Sequence, residues 1–299
     1  MKLSCCVNTY KRPEFLKKLL YSLEKQNLPT SCTLEIIIVD NDPEELGKPV
    51  VYKVLEELNL DIKYFTQPIK NISLTRNKAV EKASGELILF VDDDGITDEN
   101  WIGEMVGCFE KFNADGVFGA VLPYYDPKTP NWIKSAGFFD RLIQKSGEIS
   151  KFMRTGNCLI KASLIKSIEG PFNPDFGLTG GEDSNLFGKL KSSGAKFVFC
   201  AEGIVYDYVP LERANINYLI KRRFRNGITF VKNHIEGSAF KIGLRIFYIF
   251  RSSLFFMTYF LLTLICLPFK KWRINYFLKC IAYSGHLAAV FNVNYNEYQ

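Results

Sequence analysis

Two rhythms of apolar positions alternate along the first half of the chain. "KLSCCVNT" (2–9) is a short run with strand character. Pro13 then opens a segment in which Phe15, Leu16, Leu19, Leu20 and Leu23 recur at spacings of three and four, the stripe of an amphipathic helix. "LEIIIVD" (34–40) is apolar up to its last residue apart from Glu35, as a parallel strand covered on both faces should be. A helical segment is expected from about Pro43 to Leu58, then a short strand "IKYFTQ" (62–67), then a helix capped by Ser73 and running through Ala83. "ELILFV" (86–91) reads as another buried strand, and Asp98 is placed to cap a helix reaching about Phe112. Strand and helix in turn predict an α/β fold built on a doubly wound, mostly parallel sheet.

In such sheets, ligands collect beyond the carboxyl ends of the strands. The residues that end the strands are Asn8 and Thr9, Asp40, and Asp92, Asp93 and Asp94, so these should line one edge. A single Asp or Asn after a strand often does no more than shape a turn. Three adjacent aspartates in "ILFVDDDGITDENW" (88–101), a stretch without Lys or Arg, ask for more, because like charges at close range destabilise one another. A bound cation would relieve that repulsion. Oxygen donors suit Mg²⁺ or Mn²⁺, and one or two carboxylates suffice for an ion shared with substrate phosphates. The acids do not fit the phase of an EF-hand loop, and the chain has neither G-x-x-x-x-G-K-[ST] nor G-x-G-x-x-G. P-loop hydrolysis and dinucleotide redox chemistry therefore lose their main support, and a metal-held nucleoside diphosphate remains.

Charge divides the chain. Residues 1–212 carry 25 Lys and Arg against 30 Asp and Glu, whereas residues 213–299 carry 13 against 2. A mildly acidic body with a strongly basic, aromatic-rich tail predicts that the tail meets something anionic, either phospholipid headgroups or nucleic acid. The eight cysteines include no C-x-x-C pair, which argues against structural zinc and predicts reduced, mostly buried thiols. "MKLSCCVNTY" passes straight into a strand without a long apolar run, so the first domain is expected to stay in the cytoplasm.

An ordered set of motifs, "CVNTYKRPEFL", "EIIIVDND", "NISLTRNKA", "LFVDDDG", "RTGNCLI" and "GLTGGEDSNL", spans roughly residues 3–233. In these the chain resembles the inverting family 2 glycosyltransferases of the GT-A fold, and most of all the bacterial exopolysaccharide glucosyltransferases of the succinoglycan type. The resemblance implies a catalytic domain over 1–233 and a membrane-associated helical region over 234–299. It assigns Asn8, Thr9 and Arg12 to the nucleotide pocket, Asp40 to the uracil or ribose, and Asn71 and Arg76 to the flanks of base and diphosphate. Asp92 and Asp94 form the D-x-D, with Asp94 the preferred ligand of Mn²⁺ or Mg²⁺ and Asp92 or Asp93 nearer the ribose. Which of the three touches the metal stays open in the sequence.

"GLTGGEDSNLFGKL" (177–190) places Glu182 and Asp183 at the start of a helix that ends near Gly194. Acids there also complement the helix dipole, which by itself explains many such pairs. In the family the matching pair provides the general base, and few rivals exist, since the only histidines are His234 and His286. Asp183 is preferred over Glu182. Thr155, Gly156 and Asn157 match a region that lines the sugar site in relatives, though a loop turning on Gly156 accounts for them nearly as well. Trp132 either stacks on a sugar or fills a loop core. The implied reaction moves one sugar from a UDP-linked donor to a saccharide or lipid-linked saccharide acceptor, with inversion.

The Q-x-x-R-W motif of processive synthases is absent, and "KRRFRNG" (221–227) stands near its place, favouring one sugar per acceptor. Arg222 and Arg223 there are candidate contacts for a phosphate of the acceptor, the donor diphosphate or phospholipid. Beyond them, "SSLFFMTYFLLTLICLPF" (252–269) has no charge, which leaves a span, a re-entrant or interfacial element and a core helix all open. Membrane headgroups, rather than nucleic acid, are then the expected anionic partner, with the enzyme on the cytoplasmic face of the cell membrane. The competing class is a non-catalytic nucleotide-sugar or cation-binding module; retention of both acidic motifs favours the enzyme. A nucleotidyltransferase lacks its Gly-rich phosphate loop.

Overall fold

A computed structural model describes residues 1–236, 238 and 240–293; residues 237, 239 and 294–299 of the expected C-terminal region lie outside the described residues. In chain order the elements are β1 Lys2–Thr9, α1 Pro13–Glu24, β2 Thr33–Asp40, α2 Lys48–Glu57, β3 Ile62–Thr66, α3 Ile72–Lys82, β4 Leu87–Asp92, β5 Gly95–Thr97 and α4 Trp101–Lys111. There follow β6 Gly116–Tyr125, α5 Asn131–Ala136, β7 Asn157–Lys161, α6 Ala162–Lys166, a 3₁₀ turn at Pro174–Phe176, α7 Glu182–Ser192, β8 Phe197–Val209, α8 Ile216–Glu236, α9 Lys241–Ile265 and α10 Lys270–Val290. The chain divides into two units, Met1–Tyr124 with Asp140–Tyr208, and Tyr125–Phe139 with Val209–Gln299. Residue 233, where the catalytic domain is expected to end, lies within α8.

The sheet order is β3-β2-β1-β4-β7-β6-β8-β5. β3, β2, β1 and β4 are parallel, while β7 runs antiparallel to β4 and to β6, and β5 antiparallel to β8. Alternation of side chains across the strands explains the unbroken apolar runs. Leu3, Cys5, Val7, Ile36, Ile38, Leu87, Leu89 and Val91 pack on one face with Leu16, Leu19 and Leu20 of α1 and Trp101 and Met105 of α4. Cys6, Ile37, Val39, Ile88 and Phe90 pack on the other with Ala79 and Val80 of α3 and Leu186, Phe187 and Leu190 of α7. All eight cysteines are free thiols, seven of them buried.

Three boundaries differ from expectation, each through a polar side chain. α2 begins at Lys48 because a turn occupies 41–47, where Asp40 accepts the N–H groups of Asp42 (2.9 Å) and Gly47 (3.0 Å). Asn71, not Ser73, caps α3 by accepting the Leu74 N–H at 3.1 Å; Ser73 is buried within the first turn. Asp98 accepts from the Asn100 N–H at 3.0 Å and so shapes the turn before α4 rather than its cap.

In the second unit, Ile133, Phe138 and Phe139 pack with Val209, Leu219 and Leu278. Trp132 meets Phe138 edge-on at 6.0 Å under Lys270, so it fills this loop core. α8 crosses α10 where Gly227 faces Gly285, and a Cβ on either would run into the backbone of the other helix.

Near the amino ends of β1 and β2 a carboxylate is fully buried. Glu35 accepts from Ser4 Oγ (2.6 Å), the Ser84 N–H (2.6 Å) and Lys63 Nζ (2.7 Å), with Lys2 Nζ at 3.0 Å. Burial alone would raise its pKa, but the donors from Lys63, Ser4, Ser84 and Lys2 hold it well below the usual carboxylate range. A carboxyl with a depressed folded-state pKa adds stability that is present above its unfolded pKa of about 4.3 and is lost as pH falls below that value. Glu35→Ala is therefore expected to cost about 3 kcal/mol at pH 7 in urea unfolding, with a smaller cost at pH 3. An equal loss at both pH values would contradict the assignment.

Candidate active site

Parallel register sets Thr9 beside Asp40 and Asn8 beside Asp92 at the carboxyl ends of β1, β2 and β4. The turn after β1 takes Lys11 into the left-handed region (φ 54), and Arg12 reaches back over the strand ends. Its Nη1 lies 3.3 Å from Asp93 Oδ1 and 3.0 Å from Asp94 Oδ2. The counter-charge missing from 88–101 thus comes from the turn after β1, and the expectation of uncompensated aspartates is corrected. Asp93 is buried and also accepts from Thr9 Oγ1 at 2.8 Å. Asp92 is 51 % exposed, with Arg76 Nη2 at 3.6 Å.

Compensation is incomplete. Burial pushes Asp93 up to about 6 against the pull of Arg12. Burial, with the charges of Asp207, Asp92 and Asp93, pushes Asp94 up to about 7. Carboxyls that hold protons so readily leave room for further positive charge, and an all-oxygen donor set suits a hard divalent cation. Among the described residues no three His, Cys, Asp or Glu side chains gather to hold an ion by themselves. The donors present therefore fit an ion that completes its shell with phosphate oxygens.

Two further segments reach the aspartates. Antiparallel pairing of β7 with β4 sets Asn157 beside Val91, and a Cβ on Gly156 would lie 2.7 Å from Asp92 Oδ2. Thr155 is buried with no hydrogen-bond partner for its hydroxyl. At the other segment, Gly180 (φ 76) and Gly181 (φ 101) take a backbone path that side chains resist, and it delivers Glu182 and Asp183 to the first turn of α7. Glu182 is buried and paired with Arg76, which also faces Asp92. Asp183 is half-buried, and its Oδ1 accepts from the N–H (2.6 Å) and hydroxyl (3.3 Å) of Ser184. Its other oxygen is uncommitted among the described residues.

Several candidates turn out to be held inward. Both oxygens of buried Asp40 are engaged, Oδ1 by the Asp42 N–H and Oδ2 by Gly47 N–H and Tyr64 Oη (2.7 Å). Asn71 caps α3 and donates to Pro174 O at 3.0 Å. Asn157 donates to Ala120 O and Gly203 O and accepts from Trp101 Nε1, each at 2.8 Å. Arg76 is taken by Glu182 and Asp92. These side chains help build the site's frame through hydrogen bonds and ion pairs within the fold. Arg222 and Arg223 belong to the second unit: Arg222 lies 5.0 Å over Phe139, while burial lowers the pKa of Arg223, which has no counter-charge among the described residues.

Two acids escaped the sequence reading. Asp42 is buried with Oδ2 unpartnered, and the second acid of "VDND" was its only signal. Asp207 sits opposite Gly95 in the β5–β8 pairing and is held by Arg141 at 2.6 Å. Nothing local in "VYDYV" marks it.

A half-parallel, half-antiparallel sheet with acids at one edge and an acidic helix start facing them defines a GT-A type of fold. Solved structures agree: Staphylococcus aureus TarS 1-349 has a TM-score of 0.56 over 82 % of this chain and 68 % of that one at 18 % identity, and its complex with UDP 0.53 over 82 % and 69 % at 17 %. The family described as "Glycosyl transferase family 2" matches residues 4–168. The succinoglycan biosynthesis protein ExoM of Rhizobium meliloti (strain 1021) is 34 % identical over 227 residues, 75 % of this chain and 72 % of that one. The GalNAc(5)-diNAcBac-PP-undecaprenol beta-1,3-glucosyltransferase of Campylobacter jejuni is 34 % identical over 154 residues, 50 % of this chain and 46 % of that one. The chain belongs to glycosyltransferase family 2.

The Arg76 pairing carries its own test. Arg76→Ala strands the buried Glu182 carboxylate and is expected to cost about 3–5 kcal/mol in urea unfolding. Arg76→Ala with Glu182→Leu should recover part of that loss, and no recovery would mean that Arg76 stabilises the fold by another route.

Proposed function

We propose that the protein transfers a single sugar from a UDP-linked donor to a saccharide or lipid-linked saccharide acceptor, with inversion, on the cytoplasmic face of the membrane during synthesis of a cell-surface polysaccharide. One observation carries this reading. The side-chain series Glu182–Arg76–Asp92 ties the acids that open α7 to those that end β4, and leaves Asp183 with an open carboxylate oxygen. The relatives' names support the substrate class, since one belongs to succinoglycan biosynthesis and another acts on a PP-undecaprenol-linked glycan.

In this mechanism Asp183 takes the proton of an acceptor hydroxyl while that oxygen attacks the anomeric carbon. The bond from that carbon to the diphosphate breaks on the opposite side, its electron pair leaves with the nucleotide, and the configuration inverts. Glu182, locked by Arg76, fixes the start of α7 and so aims Asp183. Asn8 and Thr9 with Asp42, poised by the turn around Asp40, receive the nucleoside; Thr155, beside Gly156, faces the sugar. Asp94 with Asp92 would hold Mn²⁺ or Mg²⁺, which supplies Lewis-acid stabilisation of the departing diphosphate. Arg12 partly offsets the burial that raises the pKa values of Asp93 and Asp94. Arg223 awaits a phosphate, that of a lipid-linked acceptor or a phospholipid.

A panel of UDP-, GDP- and dTDP-sugars read by thermal shift with Mn²⁺ tests the donor class, because a ligand bound to the folded state raises the melting temperature by mass action. UDP-sugars should give the largest rise; a clear preference for another nucleotide would refute the UDP assignment. Asp94→Asn should abolish the Mn²⁺-dependent part of donor binding in a folded protein, and unchanged dependence would remove Asp94 as a metal ligand.

Asp183→Asn keeps the size of the side chain but cannot accept the proton. Donor affinity should survive while kcat falls about 10²–10⁴-fold. Glu182→Gln is the control. A large loss from it alone, with Asp183→Asn nearly silent, would transfer the role of base to Glu182.

A further inference from the structure

We propose that α9 lies in the plane of an anionic lipid leaflet with one face sunk among the acyl chains, and does not cross the bilayer; this rests on the membrane attachment proposed above. The exposed apolar residues of α9 include Phe247, Phe250, Leu254, Met257, Leu261 and Leu264, a stripe at spacings of three and four. Phe250 is 73 % exposed and Leu254 67 %, so the helix is not the core of its unit.

The other face of α9 is built differently. Tyr248 and Ser252 are buried, with Ser252 Oγ 3.4 Å from His286 Nδ1 of α10. Phe255 stacks on Tyr283 at 5.2 Å, and Tyr259 on Tyr283 and Tyr276 at 5.7 and 6.1 Å. Two cations line this aromatic seam: Arg251 lies 5.6 Å over Phe255, and Lys279 4.9 Å over Tyr259.

Length and charge decide between crossing and lying flat. The 25 residues of α9 are long and apolar enough to cross by length and composition, but only Ser252 to its end at Ile265 is free of charge, which at 1.5 Å per residue is about 21 Å. The hydrocarbon core of a bilayer is about 30 Å thick. Lys279, against Tyr259, stands near the middle of that charge-free length, so a crossing hairpin would carry a cation at mid-depth and a second, Arg251, at its margin. A helix in the interface meets neither cost: the stripe faces the acyl chains while both cations reach headgroups along the seam.

The occupant follows from charge. Residues 241–293 contain seven Lys and Arg and no Asp or Glu. The same segment of a second copy would oppose those charges with its own and bring no acid, whereas an anionic leaflet complements them. Trp272, exposed in the first turn of α10, is the kind of side chain that settles at headgroup level.

The test uses the full chain. Flotation with vesicles of phosphatidylcholine alone or mixed with phosphatidylglycerol should recover at least about tenfold more protein with the anionic lipid at low salt, falling as salt rises. Equal recovery with both, at all salt concentrations, would overturn the choice of an anionic surface. Cys266→Ser removes the one thiol that is not buried, after which single nitroxide labels at Phe247→Cys, Leu254→Cys and Leu261→Cys report depth by paramagnetic quenching. In-plane binding predicts three similar depths, about 5–10 Å below the headgroup level. A label at 247 shallower than those at 254 and 261 by about 10 Å would mean a crossing helix, overturning the in-plane geometry while leaving membrane attachment intact. No flotation with either vesicle, or labels shielded by self-association, would end both.

Discussion

The arrangement of the site depends on Arg76. Its guanidinium, buried beneath the strand ends, pairs with Glu182 at the start of α7 and faces Asp92 at the end of β4. Three segments far apart in sequence are thereby fixed by one planar cation whose donors fit two carboxylates at once. A buried pair of this kind adds little net stability, because desolvation offsets the attraction, yet breaking it is costly. Its value is in geometry: Glu182 is held, so its neighbour Asp183 is presented, uncommitted, at one place.

The same logic runs through the rest of the first unit. Arg12 does for Asp93 and Asp94 what Arg76 does for one oxygen of Glu182, whose other oxygen is buried without a partner among the described residues, and the raised pKa of Asp94 marks where more positive charge is wanted. At the opposite ends of the strands Glu35 is fully supplied with donors, and nothing further is asked of it. Asp40 and Asp42 repeat the contrast two residues apart, the first with both oxygens engaged and the second with one unpartnered.

The second unit is organised by shape more than by charge. Gly227 and Gly285 let α8 and α10 touch backbone to backbone, and the aromatic seam between α9 and α10 absorbs the cations that would otherwise sit beside an apolar surface. That leaves α9 with one stripe uncovered and its charges gathered on the other side.

The sequence by itself determined the alternating strands and helices, the apolar runs that become strands buried on both faces, and the strand-end residues Asn8, Thr9, Asp40 and Asp92, because periodicity and the two-residue repeat of a strand are local. It also determined that an acidic pair opens α7, since glycines at 180 and 181 precede it. What it left undecided is everything that depends on which distant atoms meet. Which residue caps α3, which of Asp40 and Asp42 keeps a free oxygen, and which of Glu182 and Asp183 is locked all turn on hydrogen bonds made across the fold. The counter-charges of the aspartates come from the turn after β1 and from α3, and Asn157 reaches the site only through antiparallel pairing of β7 with β4. A run of amino acids records which groups are present and at what spacing; only the tertiary structure fixes their separations, and electrostatic and hydrogen-bond energies depend on those separations too steeply to be read from order alone.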